Sequence, residues 1–136
     1  MVTSVAFEFE MVIAAVIIGL VNILWAAAAG SGGKRDLKWL AGPRDEDYPV
    51  ESVMAQRLRR SMANFLETFP LFLGAVVACA SAGKLNNTLT VDGSIAYVVG
   101  RALYVPLYAL GTPLLRSIVW GVSLAGIIVV IAAYFL

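Results

Sequence analysis

The chain has 136 residues, of which 60% are hydrophobic and 14% charged, with a formal net charge of +1 and a mean hydropathy of +0.85. Soluble domains carry about a quarter charged residues, so this composition excludes an ordinary soluble domain and indicates a membrane protein. The absence of His and the single Cys exclude a His-assisted nucleophile, a His-ligated haem, an ordinary zinc enzyme site and an intrachain disulfide. The charge leaves no basic surplus for nucleic acid.

Four apolar segments follow one another along the chain. A transmembrane helix uses about 20 apolar residues, so the length allows four or five spans and no separate soluble domain. Because Glu8 and Glu10, and not Lys or Arg, precede the first apolar run, that run is a retained span and not a secretory signal. We therefore predict an all-α integral membrane protein, a four-transmembrane-helix bundle over residues 1–136, with spans over 7–29, 53–82, 94–110 and 114–136.

The connections between the spans are polar. Residues 30–52 combine Gly, Pro and charges of both signs and predict a loop, with a short surface helix around Asp36 to Leu40 as the alternative. Residues 81–93 predict a second loop. Gly111, Thr112 and Pro113 predict a tight turn, because Gly ends a helix and Pro suits the first position of the next one.

The distribution of positive charge predicts the topology. Of the ten Lys and Arg residues, seven lie in the connection after the first span and in the first turns of the second span: Lys34, Arg35, Lys38, Arg44, Arg57, Arg59 and Arg60. The positive-inside rule then places the 30–52 loop in the cytoplasm and both termini outside. This pattern predicts a multi-pass protein of a bacterial inner membrane or an endomembrane.

The second span carries polar residues that are costly to bury. Arg57, Arg60, Asn64 and Glu67 follow one another at offsets of 3, 7 and 10, which places them on one face of a helix. An ionisable group at mid-bilayer costs about 3 kcal/mol and is usually retained for function. Arg57, the neighbouring Arg59 and also Arg60 fit a simpler interpretation as interfacial residues that extend to water.

The third span carries a matching polar face at offsets of 4, 7 and 11: Tyr97, Arg101, Tyr104 and Tyr108. Arg101 and Glu67 fall at similar depth, and we predict that they pair, because a lone buried charge is costlier than a hydrogen-bonded pair. Arg116 and Ser117 begin the fourth span at the same end. The prediction is a polar cleft that opens toward the cytoplasm, lined by Arg60, Asn64, Glu67, Tyr104, Tyr108 and Arg116.

Structural interpretations stand beside the functional one. The Arg101 and Glu67 side chains would then only join two helices, the tyrosines would be packing or membrane-interface residues, and Cys79 would be a small core residue. Small residues at Gly19, Ala26, Gly121, Ala125 and Gly126 are consistent with close helix packing. Several donors and one carboxylate at graded depths on facing helices favour an anionic, peptide-like ligand.

These residues also resemble a known family, the membrane-associated proteins in eicosanoid and glutathione metabolism (MAPEG). The stretch RSMANFLETFPLFLG is similar to the R-x-x-x-N-x-x-E signature of that family, with matches at Arg60, Asn64, Glu67 and Pro70. The stretch GRALYVPLYALGTPLLRS resembles its second signature, with matches at Arg101, Tyr104, Tyr108, Arg116 and Ser117. The resemblance covers four spans, the basic first loop and both motifs.

The resemblance implies a homotrimer that binds glutathione, as a co-substrate, between adjacent protomers near the cytoplasmic side. Arg116 matches the family Arg that stabilises the glutathione thiolate, which attacks a lipophilic electrophile or peroxide. The remaining binding residues implied by the resemblance are Lys34, Arg60, Asn64, Glu67, Arg101, Tyr104, Tyr108 and Ser117. The implied function is a glutathione-dependent membrane transferase or peroxidase that also contacts membrane lipids and contains no metal site.

Two departures from the family pattern support an alternative. Ala63 stands where the prostaglandin synthase of the family has an additional Arg, and Lys34 is the nearest match to an Arg at the end of the first helix; Lys offers charge but no bidentate fork. The alternative is a non-catalytic lipid-binding or scaffold protein of the same fold. A third hypothesis, a small transporter, rests on the intramembrane charges of Glu67 and Arg101.

Overall fold

The computed structural model of the protein describes residues 4–30, 41–43 and 52–136. The described residues form four helices that are each long and apolar enough to cross a membrane: α1 (Phe7–Ala29), α2 (Val53–Ser81), α3 (Thr88–Leu110) and α4 (Pro113–Phe135). The predicted all-α four-helix membrane protein is confirmed at this level. Most of the predicted 30–52 loop, the alternative helix at Asp36 to Leu40 and Lys34 lie outside the described residues.

The third helix begins earlier than the sequence pattern indicates. The predicted loop over 81–93 is wrong for its second half, because α3 starts at Thr88 and not at Ser94. The Asn87 side chain accepts a hydrogen bond from Thr90 N at 3.1 Å, and Thr90 Oγ1 accepts one from Asn87 N at 3.3 Å. This reciprocal capping box satisfies two orphan amides and lets the polar sequence before Ser94 form a helix.

Helices α2 and α3 form the centre of the bundle. Helix α1 packs on one side of them and α4 on the other, with the most extensive contact between α3 and α4. One apolar cluster includes Phe72, Val76 and Val130, and a second lies at the opposite end around Leu58 and Ala109. Cys79 is buried in the first cluster and its Sγ donates to the Val130 carbonyl at 3.4 Å, as expected for a core cysteine.

Glycines allow α3 and α4 to approach closely. A Cβ at Gly126 would lie 2.5 Å from the Gly93 carbonyl oxygen and 2.7 Å from Tyr97 N, so this contact is made backbone to backbone. Gly121, also on α4, faces open space, since a Cβ there would meet no atom within 4 Å. Of these two small residues on α4, only Gly126 makes a close contact with other described residues.

This difference predicts that a Gly→Ala substitution changes the free energy of unfolding in opposite directions at Gly126 and Gly121. Gly126→Ala is expected to lower the free energy of unfolding by about 1–3 kcal/mol, because the added methyl overpacks a rigid backbone contact. Gly121→Ala is the matched control and is expected to raise stability slightly, since Ala favours helix over Gly by about 1 kcal/mol. Unfolding of both variants in detergent checks the prediction, and equal effects would contradict the packing described here.

Buried polar groups fix α1 at both ends. Asn22 is fully buried; its Nδ2 donates to the Leu58 carbonyl at 2.9 Å, and its Oδ1 accepts from Ser61 Oγ at 2.9 Å. Toward the other end, the buried Glu8 carboxylate accepts hydrogen bonds from Asn86 N at 2.7 Å and from the Thr90 hydroxyl. These contacts set the register of α1 against α2 and α3.

Glu8→Ala is therefore expected to destabilise the bundle by about 1–3 kcal/mol. The partly buried Asn86 N–H loses its acceptor, whereas the Thr90 hydroxyl keeps the Asn87 carbonyl oxygen as an acceptor at 3.0 Å. Glu10 lies in the same first turn of α1 but is exposed, so Glu10→Ala is expected to change stability little. The same unfolding assay compares the two variants. If Glu8→Ala unfolds like Glu10→Ala, the carboxylate does not hold α1 in place.

Candidate functional site

A cleft of about 200 Å³ opens near the end of the bundle where α3 ends and α4 begins. It is lined by Asn64, Tyr104, Tyr108, Arg116, Ser117 and Trp120. The structure thus brings together predicted site residues from α2, α3 and α4. Trp120 is the lining residue that the sequence analysis missed, although its position one helical turn after Arg116 places both side chains on one face of α4.

Arg101 lies beside this cleft and is fully buried. Its Nη1 donates to Asn64 Oδ1 at 2.8 Å, and its Cζ lies 4.2 Å from the centroid of the Tyr104 ring. The Nε and Nη2 atoms are buried without a hydrogen-bond partner in the described part of the chain. Unsatisfied donors on a buried charge are costly, so Arg101 is poorly explained as a structural contact alone.

The predicted pair between Arg101 and Glu67 is wrong. The guanidinium bonds to Asn64 instead, and Glu67 is exposed on the outer side of α2. Matched depth does not fix angular position on a helix. The buried face of α2 includes Phe65 and Thr68, and Glu67 precedes Thr68 by one residue, about 100° around the helix axis and away from that face.

Arg60 is likewise exposed on α2. The cleft predicted from the sequence included Arg60 and Glu67, but neither lines the observed cleft. Both belong to a helix long and apolar enough to span a membrane. A charged side chain on the outer surface of such a helix is costly unless another polar surface covers it.

Arg116 and Tyr108 form the centre of the cleft. The Arg116 Cζ lies 4.6 Å from the centroid of the Tyr108 ring, a cation–π geometry that holds the guanidinium over the ring face. The Tyr104 and Tyr108 rings meet edge to face with centroids 5.5 Å apart. Ser117 is exposed, and its hydroxyl donates to the Pro113 carbonyl at 2.9 Å. The half-buried Arg116 thus has a defined orientation toward the cleft.

Tyr97 belongs to the same polar face of α3 but not to the cleft. Its hydroxyl lies 3.1 Å from Thr68 Oγ1, and its ring stacks on Phe72 with a centroid distance of 4.2 Å. Tyr97 is fully buried in the first apolar cluster. The packing interpretation therefore applies to this tyrosine.

The arrangement suits an anionic ligand with a hydrophobic partner. The Arg116 guanidinium, one amide and two tyrosines line a partly buried volume in which charge interactions are stronger than in water, and the buried Arg101 guanidinium lies behind Asn64 and Tyr104. Trp120 is 39% exposed and adds an apolar wall between the polar cleft and the outside of the bundle. Such a site can bind an anionic group beside Arg116 while an apolar molecule approaches along α4.

Comparisons with known proteins agree with this architecture. A family model described as the MAPEG family matches residues 11–136, nearly the whole chain. No curated protein and no solved structure gave a significant match. The matched range contains all of the cleft residues and most of α1.

Proposed function

Because this chain belongs to the MAPEG family, we propose that it is a glutathione-dependent membrane transferase or peroxidase. Family membership supports a membrane glutathione-related transferase or related function. The observation that carries the specific proposal is the Arg116 guanidinium held over the Tyr108 ring in a cleft that Trp120 borders. Its substrates are glutathione and a lipophilic electrophile or lipid hydroperoxide.

Arg116 supplies the electrostatic part of the mechanism. A fixed guanidinium beside a thiol favours the anion, and the thiolate is the reactive species. The thiol proton leaves to water at the mouth of the cleft. The sulfur then attacks an electrophilic carbon, forming a C–S bond as the leaving group departs with its electron pair. No protein nucleophile takes part.

A hydroperoxide follows the same first step. The thiolate attacks the terminal oxygen, the O–O bond breaks, and the lipid alkoxide takes up a proton to become the alcohol. The sulfur is oxidised to a sulfenic acid, which a second glutathione converts to the disulfide with release of water. Glutathione is thus the reductant, and the chain contributes binding and charge.

The peptide part of glutathione is held by the residues around Arg116. Asn64 faces the cleft and is itself oriented by Arg101, while Tyr104 and Tyr108 offer hydroxyl groups. Arg101 braces Asn64 through their hydrogen bond and supplies positive charge from behind the cleft, near the glutathione carboxylates. Ser117 adds a polar group at the mouth of the cleft. Lys34, outside the described residues, contributes further positive charge.

The exposed positions of Arg60 and Glu67 support association with a second copy of the chain, and the family resemblance implies that the assembly is a homotrimer. A second copy of the chain that covers this face of α2 would remove two charges from contact with lipid and bring them next to the cleft of its neighbour. In that assembly Arg60 lies near a glutathione carboxylate and Glu67 accepts from the glutathione amino group. Each site is then shared between two protomers.

Mixed oligomers test this sharing. Glu67→Gln and Arg116→Ala protomers are each expected to have low activity alone, whereas their co-expression restores activity in about a quarter of the sites, as random assembly at equal expression gives. Conjugation of glutathione to chlorodinitrobenzene by the purified mixture measures the recovery. If the co-expressed mixture is no more active than the two variants assayed separately, all essential residues of a site belong to one protomer.

The cleft lies at the end of the bundle that connects to the 30–52 loop, and this loop together with the first turns of α2 holds seven of the ten Lys and Arg residues. The positive-inside rule therefore supports a site that opens to the cytoplasm, with both termini outside, in a bacterial inner membrane or an endomembrane. Glutathione enters the site from the water phase, and the lipophilic substrate enters from the bilayer and from bound membrane lipids.

Ultraviolet difference absorbance on adding glutathione tests the proposed function directly, because it reports binding and thiolate formation together. A thiolate band, with turnover on chlorodinitrobenzene or a lipid hydroperoxide, is the expected result. If glutathione does not bind and no electrophile is converted, the catalytic proposal fails. Copurification of lipid without thiolate formation would instead favour a non-catalytic lipid-binding protein of the same fold.

A further inference from the structure

Arg57 lies outside the cleft, yet its side chain reaches the turn that carries the cleft residues. The Arg57 Nη1 atom donates to the Ala109 carbonyl oxygen at 3.3 Å. A Cβ at Gly111 would lie 2.9 Å from the Arg57 Cζ and Nη1 atoms. The half-buried guanidinium therefore packs directly against the α3–α4 turn and does not simply extend into water.

The Ala109 carbonyl group, in the last turn of α3, accepts its hydrogen bond from Arg57. Gly111 adopts the left-handed conformation, with φ 71° and ψ 40°, and its N–H bonds to Tyr108 O at 3.1 Å, while Thr112 N bonds to Leu107 O at 3.2 Å. This Schellman pattern uses the carbonyls of Leu107 and Tyr108. Arg57 supplies a donor for Ala109, and its positive charge is favourable at the C-terminus of a helix.

This contact connects three parts of the cleft. The two-residue turn is flanked by Tyr108 on α3 and Arg116 on α4, which meet in the cation–π contact. On α2, Asn64 follows Arg57 by seven residues and so lies on the same face about 10 Å further along the helix. We propose that Arg57 is a positioning residue that locks the α3–α4 turn to α2 and thereby holds Arg116 over Tyr108 and opposite Asn64.

The consequence for glutathione chemistry rests on the proposed function. The contact by which Arg57 holds the α3–α4 turn against α2, called the lock below, does not. If the turn is released, Arg116 loses its fixed orientation, and preorganised charge is what stabilises the thiolate. Arg57→Gln is expected to lower kcat at least tenfold with a smaller change in KM, and to raise the pH midpoint of thiolate formation on the enzyme. Arg57→Lys keeps the charge and one donor, so an intermediate value is expected.

A readout without glutathione tests the lock separately. Trp120 lines the cleft, and in a Trp25→Phe, Trp39→Phe background its fluorescence reports the cleft alone. Arg57→Gln is expected to shift the Trp120 emission maximum and to increase quenching by acrylamide. Val76→Ala is the matched control, because Val76 is buried on the same helix in the opposite apolar cluster. It is expected to reduce stability without moving the Trp120 signal.

The outcomes are distinguishable. A changed Trp120 spectrum in Arg57→Gln and an unchanged one in Val76→Ala support the lock, even if the wild-type protein binds no glutathione and the proposed function fails. An unchanged Trp120 spectrum and an unchanged thiolate midpoint in Arg57→Gln would overturn the proposal and leave Arg57 as an interfacial residue. If Arg57→Gln does not fold, Arg57→Lys decides by the same two measurements.

Discussion

Arg116→Ala is expected to abolish the thiolate absorbance of bound glutathione and to lower turnover by about 10²–10³-fold, the usual effect of removing one preorganised group that stabilises developing negative charge. Binding of glutathione is expected to weaken much less, because Asn64, Tyr104 and Tyr108 remain in the cleft. The direction in which the pH midpoint of thiolate formation moves follows from the positive charge of Arg116. A guanidinium favours the thiolate, so it lowers the pKa of the bound thiol, and without it the band forms only at higher pH.

Arg116→Lys is the matched control for this experiment. It keeps the positive charge but loses the planar group that stacks on Tyr108, so we expect the thiolate midpoint to lie between those of the wild type and Arg116→Ala. Stopped-flow conjugation and difference absorbance at several pH values measure both quantities. Equal loss of binding and turnover in Arg116→Ala would mean that Arg116 holds the tripeptide and does not stabilise the thiolate.

Arg101→Met is expected to weaken glutathione binding without lowering the free energy of unfolding. The Arg101 guanidinium is buried, and two of its nitrogen atoms have no hydrogen-bond partner among the described residues. Replacing a buried charged group by an apolar side chain of similar volume is often neutral or stabilising by about 1–4 kcal/mol. We therefore expect the free energy of unfolding without glutathione to stay the same or rise. The affinity for glutathione is expected to fall at least tenfold, since Asn64 loses its orienting partner.

Asn64→Ala completes this comparison. It removes the one hydrogen bond that the buried guanidinium makes to the described residues, and losing a bond to a charged group costs about 1.5–3 kcal/mol, so both stability and binding are expected to decrease. Thermal unfolding and calorimetric titration with glutathione check the two variants. If Arg101→Met is strongly destabilised and binds glutathione normally, Arg101 is a structural residue that joins α2 and α3.

Periodicity predicted one part of the site well and another poorly. The spacing of Tyr104 and Tyr108 on α3, with Arg116 and Ser117 at the start of α4, predicts side chains that meet at one end of the bundle, and all four line the cleft. Short turns make this possible, because Gly111 and Thr112 leave little freedom between the two helices. Where the connection is long, as between α1 and α2, no comparable local constraint exists.

The partner of Arg101 is a different case. Depth along a helix follows from a rise of about 1.5 Å per residue, and on that basis Glu67 is a reasonable partner. Which side of α2 faces α3 depends on packing of the whole apolar face, and that packing turns Asn64 inward and leaves Glu67 exposed. Asn22 was missed because a single short polar residue within an apolar run carries no pattern of its own, and Glu8 was considered only as a charge that precedes the first run.

A low charge content and four apolar segments determined, from the sequence alone, that this protein is an all-α membrane protein with few candidate functional residues. These properties are local or additive, since burial in lipid depends on the run of side chains in each segment. Only the tertiary structure decided that Asn64 and not Glu67 bonds to Arg101, that Trp120 borders the cleft, and that Arg57 reaches the Ala109 carbonyl. Those contacts depend on the relative rotation of packed helices, which no single segment specifies.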